Sequence, residues 1–173
     1  MNKPVAIERT DMAVDAAAGD RAERVPSLGE IGLDHFAPYL INRISARWNT
    51  DLLERLKEQG LTTIQMRILS VLSVMAGITV NELAVFTIAE QSTMSRTLDG
   101  MERDGLVRRK NRKGDLRVRE LYLTEKGREA FRQVWPVMHG SLEHMFDGFS
   151  DEDYETLIVL LTRVLRNIRR HDF

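Results

Sequence analysis

Apolar residues return every four positions from Phe36 through Leu40, Ile44, Trp48 and Leu52 to Leu56, with Leu33, Ala37 and Ile41 running alongside. That recurrence keeps them on one side of a helix, so the pattern predicts a long amphipathic helix from about Asp34 to Gly60. Pro38 lies near its start, where a missing N–H costs little. Thr62 caps a second helix that carries Ile64, Ile68, Leu69 and Leu72 towards Gly77. Thr79 and Glu82, three residues apart, have the spacing of a capping box and open a short third helix. After Phe86, the run Thr87-Ile88-Ala89 leaves no room for another amphipathic turn. Glu90 then places a negative charge at the positive end of the next helix dipole. From Gln91 to Arg103 the buried stripe is Met94, Leu98 and Met101, and Gly105 ends the helix in a left-handed conformation.

Past that helix the period changes. Leu106-Val107-Arg108-Arg109-Lys110 reads as a short strand, and Val118 to Leu123 alternates apolar and charged residues as a half-buried strand does. Asn111-Arg112-Lys113-Gly114-Asp115, rich in turn formers and cations, is the expected hairpin tip. Thr124 caps a helix through Phe131, Val134 and Trp135, with a kink expected at Pro136, that continues through Met138, Leu142 and Met145 to Gly148. Ser150, with Asp153 three residues on, caps a last helix bearing Leu157, Leu160, Leu161, Val164, Leu165 and Ile168. Residues 1 to 27 are polar and alanine-rich without a steady period, which predicts a mobile arm.

The outer face of the Gln91–Arg103 helix carries Gln91, Ser92, Ser95, Arg96 and Asp99, a composition suited to reading base edges in a major groove. Between Arg103 and Arg119 there are eight cations against Asp104 and Asp115, a local excess of six in a chain of net charge −1. A near-neutral protein with one basic edge suits phosphate binding through a patch. The pattern is a helix-turn-helix followed by a basic hairpin, a winged helix that reads duplex DNA. A winged-helix module for protein assembly, without sequence-specific DNA binding, is the alternative, and the basic hairpin argues against it.

Taken in order, these residues resemble the MarR family of bacterial transcription regulators over roughly residues 33 to 170. The resemblance rests on Gly60-Leu61-Thr62, Gln65, Leu69 and Leu72; Leu83-Ala84; Ser92-Thr93-Met94-Ser95-Arg96; Gly105-Leu106-Val107 and Arg109; Asp115 and Arg117; and Leu123-Thr124 with Gly127. It implies a mainly α fold with a small β-hairpin wing: a winged helix-turn-helix at 61–124, a helical dimerisation region from 33–60 and 125–173, and an N-terminal arm at 1–32. It implies a homodimer acting on an inverted-repeat operator, most often as a repressor. The DNA-contact candidates are then Gln91, Ser92, Thr93, Ser95 and Arg96 on the reading helix, with Arg112, Lys113, Asp115 and Arg117 on the wing. As in the matching motif of the family, the Asp115 carboxylate is expected to hold the Arg117 guanidinium, which enters a minor groove; an exposed ion pair is the alternative. The resemblance also implies a small organic effector, an aromatic acid or an acyl thioester, between the first helix and the DNA-binding lobe. His35, Tyr39, Arg43, Arg47, Trp48 and Arg67 are candidates to line that cleft, since a mostly apolar site needs a few polar anchors. Against this, Trp48 on the apolar stripe suits the core, and the first helix's arginines suit solvent.

The long helices hold more apolar surface than a winged helix of this size covers, and a second chain buries it at least cost. A bundle closed within one subunit is the other option. Composition is that of an ordinary globular chain, 43% hydrophobic and 29% charged. No apolar run approaches the ~18 residues of a membrane span, and Asp15 interrupts the only alanine-rich N-terminal stretch, so a cytoplasmic protein is expected. Zero cysteines exclude disulfides, thiolate catalysis and cysteine redox sensing. His139, His144 and Asp147 are spaced five and three apart, poorly placed to share a metal. Asp151-Glu152-Asp153 and the cluster Arg166, Arg169 and Arg170 suit the two ends of the last helix dipole, with a phosphate contact open for the arginines. No enzyme motif, metal site or cofactor is expected.

Overall fold

The computed structural model describes residues 24–57 and 59–169. Most of the expected arm, and Arg170, lie outside them. The chain divides into two compact units after Asn42.

In the first unit Ser27 caps a one-turn helix, α1 (Leu28–Ile31), and Glu30 answers by accepting the Ser27 backbone N–H at 2.8 Å. Gly32 then takes φ +80, and a 3₁₀ turn follows at Leu33–His35. The long helix α2 (Ala37–Lys57) starts only after extended Phe36, three residues later than its period implies. The apolar spacing continues upstream of Ala37, but Gly32 and the extended Phe36 backbone break the hydrogen-bond ladder there.

In the second unit α3 (Thr63–Val74) and α4 (Val80–Thr87) each begin with a capping box, Thr62 with Gln65 and Thr79 with Glu82. These reciprocal bonds satisfy two otherwise orphaned N–H groups and set the helix starts as the sequence spacing implies. Next comes α5 (Gln91–Arg103), with Met94, Leu98 and Met101 all buried, and Gly105 beyond it at φ +71. Two strands, β1 (Val107–Arg112) and β2 (Asp115–Leu123), form an antiparallel hairpin. The hairpin is longer and its tip shorter than the sequence suggests. Asn111, Arg112 and Asp115 are paired in the ladder, leaving Lys113 and Gly114 as the turn, because Gly114 takes φ +93 and lets the chain reverse in two residues. Leu121 is bonded on both sides to the α3–α4 loop: its N–H donates to Ile78 at 2.9 Å and its carbonyl accepts from Gly77 at 2.8 Å.

Ile68, Leu69, Leu83, Leu98, Met101 and Leu121 form the centre of the core, so α3, α4, α5 and the hairpin bury one another's apolar faces. Each such side chain is worth about 1.5–3 kcal/mol. A smaller cluster of Leu52, Leu56, Met66 and Val134 joins the end of α2 to α3 and α6 (Glu125–Met145). Pro136 sits inside α6 without interrupting it. The last helix, α7 (Asp151–Ile168), has the Ser150–Asp153 capping box but no buried residue.

The turn between α4 and α5 holds one backbone outlier: Ile88 at φ 54, the non-glycine residue with positive φ among those described. A left-handed conformation costs an L-residue roughly 1–2 kcal/mol, more than the entropy glycine forfeits there. The Ile88 side chain is 84% exposed and recovers little by packing. Ile88→Gly is therefore expected to stabilise the fold by about 0.5–1 kcal/mol, read as a higher urea midpoint. A lower midpoint would mean that the side chain has a packing partner worth more than the strain.

Candidate nucleic-acid interface and effector groove

The buried stripe of α5 turns its other face outward, leaving Ser92, Thr93, Ser95 and Arg96 exposed. Glu90 stands at the N-cap but makes no side-chain capping bond, whereas α3, α4, α6 and α7 are each capped by a hydroxyl. The first-turn N–H groups of α5 are thus open to an external acceptor such as a phosphate. Gln91 is tied inward, its side-chain amide donating to Asn81 on α4 at 2.8 Å.

On the hairpin the cations sort into two groups. Arg109 is only 18% exposed, and its guanidinium spans Asp99 at 2.7 Å and Glu102 at 2.5 Å, both on α5. Burial works against the Arg109 charge, but the bonds to Asp99 and Glu102 outweigh it and raise its pKa. Asp99, placed by its sequence position on the reading face, is therefore occupied by the wing. Arg112 donates to Glu120 at 2.7 Å, and Glu120 also accepts from the Tyr122 hydroxyl at 2.8 Å. The Arg112 bond and the Tyr122 bond lower the Glu120 pKa, and the Glu120 bond raises that of Arg112. The guanidinium of Arg108 and the ammonium of Lys110 lie over the Tyr122 ring, 5.7 and 5.5 Å from its centre. Lys113, Arg117 and Arg119 form no ion pair among the described residues and stand exposed along the outer hairpin.

The expected Asp115–Arg117 ion pair is not what forms. The Asp115 carboxylate accepts the backbone N–H of Arg117 at 3.0 Å, a local side-chain-to-backbone turn, and the guanidinium is left exposed. Two residues along a strand both side chains do share a side, but the nearer donor is the main chain.

A groove of about 460 Å³ lies between α2 and the end of α6, lined by Arg43, Ile44, Arg47, Trp48, Asp51 and Arg55 from one wall and Ser141, His144 and Met145 from the other. Three arginines face one aspartate there, and Arg47 leans on that aspartate at 3.5 Å. Of the cleft candidates, Arg43, Arg47 and Trp48 are brought together. Arg67 points elsewhere, donating to Asn49 at 2.7 Å and to the Thr87 carbonyl at 3.3 Å, so that it ties α2 and α3 to the end of α4. His35 and Tyr39 belong to the first unit, where His35 meets Asp34 at 3.1 Å. Arg55 and Ser141 escaped the sequence reading, and His144 entered it only as a poorly placed metal ligand and not as part of the cleft. Arg55 had a signal, lying four and eight residues from Asp51 and Arg47 on the same helix, while the α6 wall had none.

Among the described residues no group of three or more His, Asp or Glu is placed to hold a metal. No helix among them is long and apolar enough to cross a membrane.

Residues 59–117 match the model of the MarR family. A transcriptional regulator of the MarR family from Silicibacter pomeroyi, solved by crystallography, is 41% identical with a TM-score of 0.81, covering 86% of this chain and 100% of that one. The HTH-type transcriptional repressor IacR of Pseudomonas putida is 24% identical over 156 residues, 90% of this chain and 93% of its own. The fold is also that of MepR from S. aureus, crystallised as a DNA complex: TM-score 0.65 at 23% identity, covering 76% of this chain and 97% of that one.

Proposed function

Because the chain belongs to the MarR family of transcription regulators, we propose that it binds an inverted-repeat operator as a homodimer, acts as a repressor, and is released by a small organic anion. In this reading α5 enters the major groove through Ser92, Thr93, Ser95 and Arg96, and Lys113 and Arg117 carry the hairpin tip into the flanking minor groove. Gln91 and Arg112 act from behind, one bonded to α4 and the other to Glu120. The observation that carries the proposal is the grouping of exposed cations that form no ion pair among the described residues, Arg96, Lys113, Arg117 and Arg119, on one reading helix and one protruding hairpin. The fold shared with MepR, a protein crystallised on DNA, supports it.

A gel shift on the protein's own upstream DNA tests the reading, with Arg117→Ala as its sharpest form. The side chain is exposed, so the melting temperature should stay nearly constant. Affinity should fall, and the slope of log affinity against log salt should shrink by about one per subunit. Wild-type affinity and slope would remove Arg117 from the DNA. No operator binding at all would favour the protein-assembly alternative.

The α2–α6 groove suits the effector. Trp48, Ile44 and Met145 offer apolar surface, and Arg43, Arg47 and Arg55 outnumber Asp51, which selects an aromatic or acyl body carrying a carboxylate or phosphate. A thermal-shift screen of aromatic acids and their thioesters should find a stabilising ligand whose effect Arg47→Ala weakens. Equal stabilisation of wild type and variant would place the ligand elsewhere.

A further inference from the structure

We propose that Arg109 is a positioning residue for DNA binding, fixing the base of the hairpin to the C-terminal half of α5 without touching phosphate itself. The inference rests on the DNA-binding reading above. Along β1 the side chains alternate, and Arg109 falls on the side of buried Val107 while Arg108 and Lys110 face outward. It makes three bonds to one helix. Its two terminal nitrogens reach Asp99 at 2.7 Å and Glu102 at 2.5 Å, and its backbone N–H donates to Glu102 at 3.2 Å.

Two carboxylates three residues apart on a helix share a face, and a planar guanidinium offers one nitrogen to each; a lysine ammonium presents a single point to both. The contact has two consequences for a nucleic acid. Asp99 and Glu102 would otherwise turn two negative charges outward beside the reading surface, and Arg109 halves that charge and draws both carboxylates towards the hairpin. The hairpin is also a lever. Arg109 lies four residues from Lys113, roughly 13 Å along a strand, so a tilt of about 10° at the base moves the tip by about 2 Å, beyond hydrogen-bond tolerance. The angle between α5 and the hairpin decides whether both meet one duplex, and this fork sets it.

The test uses the full-length protein and its operator duplex. Arg109→Gln is expected to weaken binding about tenfold or more, well below the melting temperature, with the salt slope unchanged. Adding Glu102→Gln in that background should cost nothing further, since the guanidinium is already lost and the amide oxygen still accepts the backbone N–H of residue 109. A slope smaller by about one per subunit would mean that Arg109 meets phosphate, and overturns the proposal. Additive losses, or wild-type affinity in the folded variant, also overturn it. If Arg109→Gln does not fold, Arg109→Lys serves: it keeps the charge and loses the fork, and should still bind several-fold more weakly at unchanged slope. Wild-type affinity for the lysine variant would overturn the proposal. Absence of operator binding by the wild-type protein is a separate failure, that of the DNA-binding reading.

Discussion

Gly127→Ala is expected to cost at least about 3 kcal/mol, and a protein with little stability in reserve would not fold. Gly127 lies in the first turn of α6, buried, and a Cβ built on it falls inside contact distance of the Leu106 carbonyl oxygen. The collision is between two backbones, so no rotamer change relieves it. The close approach is enforced from both sides: the Thr124 hydroxyl donates to Gly105 at 2.5 Å, and the Thr124 N–H to Leu106 at 3.1 Å. Gly140, on the same helix with nothing within 4 Å of its would-be Cβ, is the control. Gly140→Ala should stabilise by up to about 1 kcal/mol through helix propensity. Urea titrations of the two variants, monitored by circular dichroism, should move in opposite directions. A tolerated Gly127→Ala would show that α6 can pull away from the 105–106 turn.

The largest functional effect is expected at α7. Ile158, Leu161, Val164, Leu165 and Ile168 all stand exposed in the single chain, from 41% for Leu161 to 69% for Ile168. An apolar stripe of that length is unusual on a monomer, and a second copy of the helix is the occupant that the dimer proposal supplies. Leu161→Glu should turn the dimer into a monomer by sedimentation while leaving the core untouched. Each subunit has one reading helix, so loss of the second should weaken operator binding by about 10²- to 10⁴-fold. A dimeric Leu161→Glu protein with intact affinity would refute this use of α7.

What was legible in the sequence is what local spacing determines. Thr62 with Gln65, Thr79 with Glu82 and Ser150 with Asp153 cap their helices because each bond spans three residues and needs no tertiary information. Met94, Leu98 and Met101 are buried because their spacing leaves a helix one apolar face. The hairpin cations looked alike in the chain, and folding separated them. Arg109 and Arg112 found carboxylates seven to ten residues away, while Lys113, Arg117 and Arg119 did not. Strand alternation marks Arg109 as inward-facing, but its partners depend on how β1 lies against α5. The groove shows the same limit more strongly: Arg47 and His144 line one space from nearly a hundred residues apart, a separation that no local pattern bridges.

The capping boxes also make the helices unequal in acid. Backbone and side-chain bonds from Thr79 hold the Glu82 carboxyl below its usual 4.5, and bonds from the Ser150 hydroxyl and backbone hold Asp153 below its usual 3.8. A carboxyl whose pKa falls on folding contributes its stability above the unfolded value and loses it as pH drops through the folded one. Protonation therefore weakens the carboxylate half of the boxes at α4 and α7, while the Thr79 and Ser150 hydroxyls still accept their N–H groups. The equivalent position at the start of α3 is Gln65, which bonds Thr62 at 2.9 Å and carries no titrating proton. Acidification thus loosens the entry to the reading motif and the end helix, while the helix that carries Ile68 and Leu69 through the centre of the core keeps its start.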